Sequence, residues 1–343
     1  MSNQPRPAVT VLGAGAWGTA LAAAACAEAD VLLWGRDAQA MSDMADSHIN
    51  TQYLPDIDLP HALRYSSELD TAFAHLAKTP GEGLLLLGTP MAGLAGMCEL
   101  VNKKLAASLR IAGLIWVCKG LSAQTGQLPH EIVQDSMRST SLATGVLSGP
   151  SFANEVARGL PVALTIASED DALKQLVTNV FHAGPMRIYR SSDVMGVEVG
   201  GALKNVMAIA CGISDGLGLG NNARAALITR GLAEMTRFGV ALGAKPNTFA
   251  GLTGLGDLVL TATGDLSRNR QVGLRLGRGE SLASILAGGM TAEGARCAQA
   301  VLVRARSIGV PMPITEAVCE TLFGGVTPAD AVNRLMARSA TEE

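Results

Sequence analysis

Apolar positions along this chain follow two rhythms, and the change from one to the other falls near residue 190. Before it, short and nearly continuous hydrophobic runs alternate with stretches of helical spacing. The runs are AVTVL (8–12), VLLW (31–34), LLLLG (84–88), LIWVC (114–118), GVLSG (145–149), VALTIA (162–167) and MRIYR (186–190). Strands apolar on both faces are expected where helices cover both sides of a sheet. Their alternation with helices predicts an α/β fold with a doubly wound, Rossmann-like parallel sheet. After 190 the runs give way to long Ala/Leu/Met/Gly-rich stretches. RAALITRGLAEMTRFGVALG (224–243) and AEGARCAQAVLVRARSIG (292–309) read as amphipathic helices, each closed by a glycine. The pattern predicts a Rossmann domain over 1–190 and an all-helical domain over 191–343, as a chain of this length favours.

Composition narrows the function. The chain is 48% hydrophobic and 17% charged, which marks a globular protein. A net charge of −3 and 3% aromatic residues exclude the basic patch and stacking platform of a nucleic-acid binder. Cys26, Cys98, Cys118, Cys211, Cys297 and Cys319 lie far apart, with no CxxC or Cys/His cluster. They read as reduced, buried thiols of a cytoplasmic protein rather than a metal site or a disulfide framework. Residues 8–27 carry no charge over the length of a membrane span. Three glycines within six residues argue against insertion or export, and another chemistry explains them.

GAGAWG places Gly13, Gly15 and Gly18 at G-x-G-x-x-G spacing, after a strand-like run and before a helix-forming one. That context is the dinucleotide-binding one. Gly13 permits the tight turn, Gly15 the approach of backbone to a pyrophosphate and Gly18 the packing of helix on sheet, with the helix N-terminus facing the phosphates. WGRD, at the end of the second run, sets Arg36 beside Asp37. An arginine there suits the 2′-phosphate of NADP, and an acid suits the ribose of NAD. Arg36 tips the balance slightly toward NADPH; a solvated surface charge is the alternative.

Polar groups also stand where packing would not ask for them. Lys204 lies in the apolar run MGVEVGGALKNVMAIACGISD, and its helical neighbours Gly200, Gly201, Met207 and Ala208 include no carboxylate. An unpaired buried charge is costly, so a partner from elsewhere is expected. Asp257 of GLGDLVLTAT, with Thr261 four residues on, is the natural candidate, an ordinary acid at a helix start being the alternative. Lys119 ends the LIWVC run, at the edge where doubly wound sheets bind ligands; a lysine simply leaving the sheet into solvent is the alternative, and the favoured one for an isolated case. Ser267, Arg268 and Asn269 precede an amphipathic helix and supply a cap, a fork donor and an amide, a combination suited to a phosphate or carboxylate, a solvated basic helix start being the alternative.

Together GAGAWGTALA, WGRD, NTQYLPDIDLP, VCKGL, SGPSFANEVARGLP, GVEVGGALKN, SDGLGLGNNARAALITRGLAEM, GLTGLGDLVLT, SRNR, AEGAR and GVPMPITEAV resemble, in order and over nearly the whole chain, the bacterial-type NAD(P)-dependent glycerol-3-phosphate dehydrogenases. The resemblance implies reversible hydride transfer between NAD(P)H and dihydroxyacetone phosphate, supplying sn-glycerol 3-phosphate for glycerophospholipid synthesis, in a cytoplasmic homodimer with no membrane insertion. It implies Lys204 as general acid/base, Lys119 in contact with substrate and cofactor, and Asp257 and Thr261 at the reaction centre. Arg268 and Asn269, with Ser267 nearby, would hold the substrate phosphate, and Gly149 and Ser151 would line the substrate site. Cofactor contacts fall on Gly13, Gly15, Ala16, Trp17, Gly18, Arg36, Lys119, Ala153, Arg268, Thr291 and Glu293. Gly200 and Gly201 would leave room for substrate or cofactor beside Lys204, in a cleft between the domains.

The sequence departs from the family at Ala16–Trp17 in the glycine loop, at Thr291–Ala292 before Glu293, and at Gly88–Thr89–Pro90. Two other readings share parts of the pattern. A β-hydroxyacid or ketopantoate type of two-domain dehydrogenase has the same architecture, but its carboxylate substrate needs no phosphate seat of the SRNR kind. A non-catalytic dinucleotide sensor would have no reason to keep Lys204, Asp257 and Thr261 together.

Overall fold

A computed structural model of the chain describes residues 6–79, 82–107, 109–138, 140–289 and 293–337. The described chain forms two compact units, one of residues 1–119 and 129–194, the other of 120–128 and 195–343.

In the first unit every apolar run becomes a strand. Its elements are β1 (Ala8–Leu12), α1 (Ala16–Ala25), β2 (Asp30–Trp34), α2 (Ala38–Ser47), β3 (Ile49–Asn50), β4 (Leu54–Asp58), β5 (Arg64–Ser66), α3 (Leu69–Leu76) and β6 (Leu84–Leu87). There follow α4 (Leu94–Ala106), β7 (Gly113–Trp116), α5 (Pro129–Ser136), β8 (Thr144–Ser148), α6 (Ala153–Ala157), β9 (Val162–Ala167), α7 (Asp171–Phe181) and β10 (Met186–Ser191). Eight strands make one sheet in the order β10-β9-β8-β7-β6-β1-β2-β5. β1 sits between β2 and β6, both parallel to it, so the chain leaves β1 in one direction and later crosses back to the other side. This reversal of strand order opens a crevice at the carboxyl ends of the strands.

Two features depart from the expected all-parallel sheet. β8 and β9 pair antiparallel, because the thirteen residues from 149 to 161 hold only the short α6, which packs against α1 and returns the chain beside β8 instead of crossing over. Three strands carry no continuous apolar run. β3 has two residues, β5 has three, and β4 (LPDID) buries only Leu54 and Ile57. The chargeless segment 8–27 is β1 and α1, both packed in this unit's core.

The second unit is helical: α8 (Val194–Gly216), α9 (Gly220–Ala241), α10 (Pro246–Phe249), α11 (Asp257–Thr263), α12 (Arg268–Gly277), α13 (Leu282–Ala287), α14 (Glu293–Ser307), α15 (Pro313–Phe323) and α16 (Pro328–Met336). α8 has the length and apolarity of a membrane span, yet most of it is buried within this unit. Glycines let α12 lie directly on it. A Cβ on Gly212 would stand 2.1 Å from the Arg270 carbonyl oxygen, and one on Gly273 would stand 2.1 Å from that of Ile209. Gly216 and Gly277, one turn further along each helix, repeat the contact at 2.4 and 2.5 Å. Small residues at four-residue spacing on two facing helices give this backbone-to-backbone seam.

The excursion 120–128 belongs to this unit although it lies inside the first in sequence, ahead of the change of rhythm at 190. Leu121 and Leu128 are buried in the helical core, Leu121 N–H donates to Cys297 Sγ, and Arg304 donates to the Gly126 carbonyl at 3.0 Å. All six cysteines are buried free thiols. Burial pushes Cys26, Cys98 and Cys211 up to about 12 and Cys319 to about 11, so these stay protonated and weakly nucleophilic.

Candidate active site

The first unit's candidate residues all leave the same edge of the sheet. The glycine loop follows β1, Arg36 follows β2, Gly88 and Thr89 follow β6, Lys119 follows β7 and Gly149 follows β8. The loop is built for glycine. Gly13 has φ +129°, and a Cβ there would stand 2.7 Å from the Gly88 backbone. A Cβ on Gly18 would fall 1.9 Å from the Gly13 carbonyl oxygen, so α1 can close onto the turn only because that atom is missing. Above Gly15 a Cβ would meet nothing within 4 Å. Gly15 is the N-cap of α1 and no side chain caps it, which leaves first-turn N–H groups to an outside acceptor. Open space, orphan donors and a helix N-terminus fit a dinucleotide pyrophosphate. Ala16 and Trp17 are the first two residues of the helix, both half-buried.

At the end of β2 the two charged residues part company. Arg36 is exposed, whereas Asp37 caps α2 by accepting from the Ala40 N–H at 3.1 Å. Lys119, Gly149 and Ser151 come together. The Lys119 ammonium donates to the Gly149 carbonyl at 3.2 Å and the Ser151 hydroxyl donates to the same oxygen at 3.1 Å. Gly149 has φ +147°, and a Cβ there would press on the Ala163 carbonyl of β9 at 3.0 Å. Ala153 begins α6 just beyond this turn.

In the second unit Lys204 has found its partner. Its Nζ lies 2.6 Å from Asp257 Oδ1, with the Lys204 side chain 9% exposed and that of Asp257 fully buried. Thr261, one turn along α11, donates to the Asp257 main-chain carbonyl at 2.6 Å and lies 3.4 Å from its carboxylate. Asp257 is delivered by a π-helical turn, Leu252–Gly256, wedged against α8 and α10. Gly200 is the site of that contact: a Cβ there would stand 2.3 Å from the Thr253 carbonyl oxygen. Gly200 therefore makes room for the turn that carries Asp257, and not for a ligand as expected from the sequence.

The SRNR segment forms the N-terminus of α12. Ser267 is its N-cap, accepting from the Arg270 N–H at 3.2 Å, and Arg268 is exposed. Asn269 is buried, and its Oδ1 accepts from the Gly294 N–H at 3.0 Å, next to Glu293 at the start of α14. Arg270 is buried between Asp215 and Asp265, at 2.8 and 2.9 Å, and so serves the packing of α12 on α8. Thr291 lies outside the described residues.

A buried amide that the sequence pattern does not single out touches the glycine loop. Asn50 of β3 donates from Nδ2 to the Ala14 carbonyl in the glycine loop, at 3.0 Å, and to the Thr19 hydroxyl at 2.8 Å. Its only signal was the position at the head of NTQYLPDIDLP, in the first strand of a short hairpin that follows α2.

Comparison with known proteins bears on this arrangement. The model of the NAD-dependent glycerol-3-phosphate dehydrogenase N-terminus matches residues 8–174, and that of the C-terminus matches residues 193–333. A glycerol-3-phosphate dehydrogenase from Coxiella burnetii is 36% identical, with 97% of this chain and 99% of that one aligned at a TM-score of 0.88. The chain belongs to the NAD-dependent glycerol-3-phosphate dehydrogenase family. It is an NAD(P)-dependent oxidoreductase acting on glycerol 3-phosphate, and a nicotinamide dinucleotide is its cofactor. The Saccharomyces cerevisiae glycerol-3-phosphate dehydrogenase is 25% identical over 96% of this chain and 99% of its own, at a TM-score of 0.80. A probable 2-dehydropantoate 2-reductase from Bacillus subtilis, 14% identical at a TM-score of 0.53 over 92% of this chain and 99% of its own, shares the fold alone.

A buried pair makes a clear stability prediction, because removing one partner strands a charge while removing both does not. Lys204→Met or Asp257→Leu alone is expected to destabilise the protein by about 3–5 kcal/mol, and the double substitution by much less than either single one. Urea denaturation checks this. Additive losses would mean that the two charges are not energetically a pair.

Proposed function

We propose that this dehydrogenase reduces dihydroxyacetone phosphate with Lys204 as proton donor, Arg268 and Asn269 as the seat of the substrate phosphate, and the glycine loop as the seat of the cofactor. The single observation that carries the reading is the 2.6 Å contact between a nearly buried ammonium and a fully buried carboxylate. When bound, the nicotinamide ring supplies a hydride to the ketone carbon or takes it back in the reverse direction. The Lys204 ammonium then gives its proton to the oxygen on which charge develops, and recovers it when glycerol 3-phosphate is oxidised. Asp257 keeps the ammonium charged and aimed, and Thr261 holds Asp257. A desolvated cation also stabilises an alkoxide more strongly than water would.

The remaining roles follow from chemistry and placement. Lys119 has its ammonium at the carboxyl edge of the sheet, steadied by the Gly149 carbonyl, where it can face both the substrate oxygens and the cofactor. Ser151 reinforces that turn and Ala153 lines its cofactor side, while Ala16 and Trp17 flank the pyrophosphate. Ser267 shapes the phosphate seat by capping α12, whose N-terminal dipole favours an anion. Glu293, which begins α14 beside the Gly294 N–H that Asn269 accepts, contacts the cofactor on this reading. The enzyme acts as a cytoplasmic homodimer and feeds glycerophospholipid synthesis.

NADPH is the preferred cofactor on this reading. Asp37 has its carboxylate engaged in capping α2, and the exposed Arg36 is the fork donor left for a 2′-phosphate.

Two measurements test these assignments. kcat/KM for NADPH oxidation with dihydroxyacetone phosphate should exceed that with dihydroxyacetone by about 100-fold or more, since a bidentate, charge-assisted anchor is lost with the phosphate. Equal values would remove the phosphate seat. Arg36→Ala should raise KM for NADPH about tenfold and leave KM for NADH within about twofold, the loss of one charged hydrogen-bonding partner. Equal losses would show that Arg36 does not read the 2′-phosphate.

A further inference from the structure

The glycine loop does not hold its shape by its glycines alone. Asn50 lies outside the G-x-G-x-x-G motif, thirty-six residues beyond Ala14, and is 3% exposed. Its side chain is satisfied on both ends. Nδ2 donates to the Ala14 carbonyl and the Thr19 hydroxyl, and Oδ1 accepts from the Tyr53 N–H at 3.2 Å. The orientation of the amide is unambiguous, because a carbonyl can only accept and a main-chain N–H can only donate. β3 and β4 pair as a short antiparallel hairpin immediately after α2, and this hairpin is what carries Asn50 to the loop.

The bond to Ala14 has a consequence one atom further along. The peptide joining Ala14 to Gly15 is trans, so its N–H points away from its C=O. Asn50 holds the carbonyl inward, which turns the Gly15 N–H outward, on the residue above which a side chain would meet only open space. The second bond, to Thr19, fixes the first turn of α1 against the same amide. One side chain thereby sets the relative orientation of the turn and of the helix N-terminus. We propose that Asn50 is a positioning residue for cofactor binding, aiming the Gly15 N–H and the first turn of α1 at the dinucleotide pyrophosphate. This inference rests on the reading that the glycine loop holds the cofactor. Aligned donors bind an anion without first being reordered, so their loss appears in cofactor affinity rather than in chemistry.

Asn50→Asp keeps the size of the side chain and removes both donated hydrogens, setting a carboxylate against a carbonyl oxygen. Expected is a rise of about tenfold or more in KM for NADPH and in its fluorescence-titrated Kd, the loss of two buried hydrogen bonds, with kcat and KM for dihydroxyacetone phosphate within about twofold. KM is a property of folded molecules, so partial misfolding lowers apparent kcat without imitating this split. Asn50→Ser, too short to reach Ala14, is the second variant should Asn50→Asp not fold. Gly15→Val, whose side chain enters space that is open in the free protein, is measured alongside. Loss of NADPH binding in Gly15→Val with unchanged affinity in the Asn50 variants would overturn the positioning role alone. Unchanged affinity in both would overturn the assignment of the loop itself.

Discussion

The contact between Lys204 and Asp257 sets the terms for the helical half of this protein. An ammonium buried in an apolar helix is tolerable only with a carboxylate held at hydrogen-bonding distance, and the carboxylate must itself be brought in dry. That requirement accounts for several local oddities at once. The π-helical turn before α11 aims Asp257 at α8, Gly200 lets that turn approach to backbone contact, and Thr261 donates to the Asp257 main-chain carbonyl from one turn away. The glycine seam between α8 and α12 acts further along the same axis. It packs α12, whose N-terminus is the SRNR segment, backbone to backbone on the helix that carries Lys204.

The first unit meets a different constraint with the same residue type. Here glycine is found where a loop must turn tightly, where a helix must close on that loop, and where open space stands above the helix N-terminus. Gly13, Gly18 and Gly15 answer these in turn. Orientation comes from outside the motif, through Asn50. Lys119 likewise depends on a distant turn, since the carbonyl that steadies it belongs to Gly149, whose conformation a residue with a side chain would rarely adopt.

Much of this was legible in the sequence, for identifiable reasons. Strands buried on both faces announce themselves as apolar runs, and the seven such runs all became strands. β3, β4 and β5 did not announce themselves, because they are short or lie where one face meets solvent. The antiparallel pairing of β8 and β9 was hidden too, since direction is decided by how far α6 carries the chain. Lys204 stood out because a lysine in an apolar run, with no carboxylate three or four residues away, has no packing explanation, and Asp257 followed as the acid in a comparable setting. Gly200 was misread for want of the element that packs on it, a contact spanning more than fifty residues of chain. Asn50 left almost no signal, because a buried amide in the first strand of a short hairpin resembles an ordinary turn residue until its acceptors are known.

If the buried ammonium of Lys204 serves proton transfer rather than folding, its removal must show in the chemical step. The most direct measurement is single-turnover reduction of dihydroxyacetone phosphate by Lys204→Met enzyme that is folded by circular dichroism and saturated with NADPH. The chemical step should slow by about a thousandfold, the scale of a positioned general acid, while the Kd for NADPH stays within about twofold. A chemical step within about tenfold of the native rate would contradict the account, since a positioned acid of this kind is worth more than that.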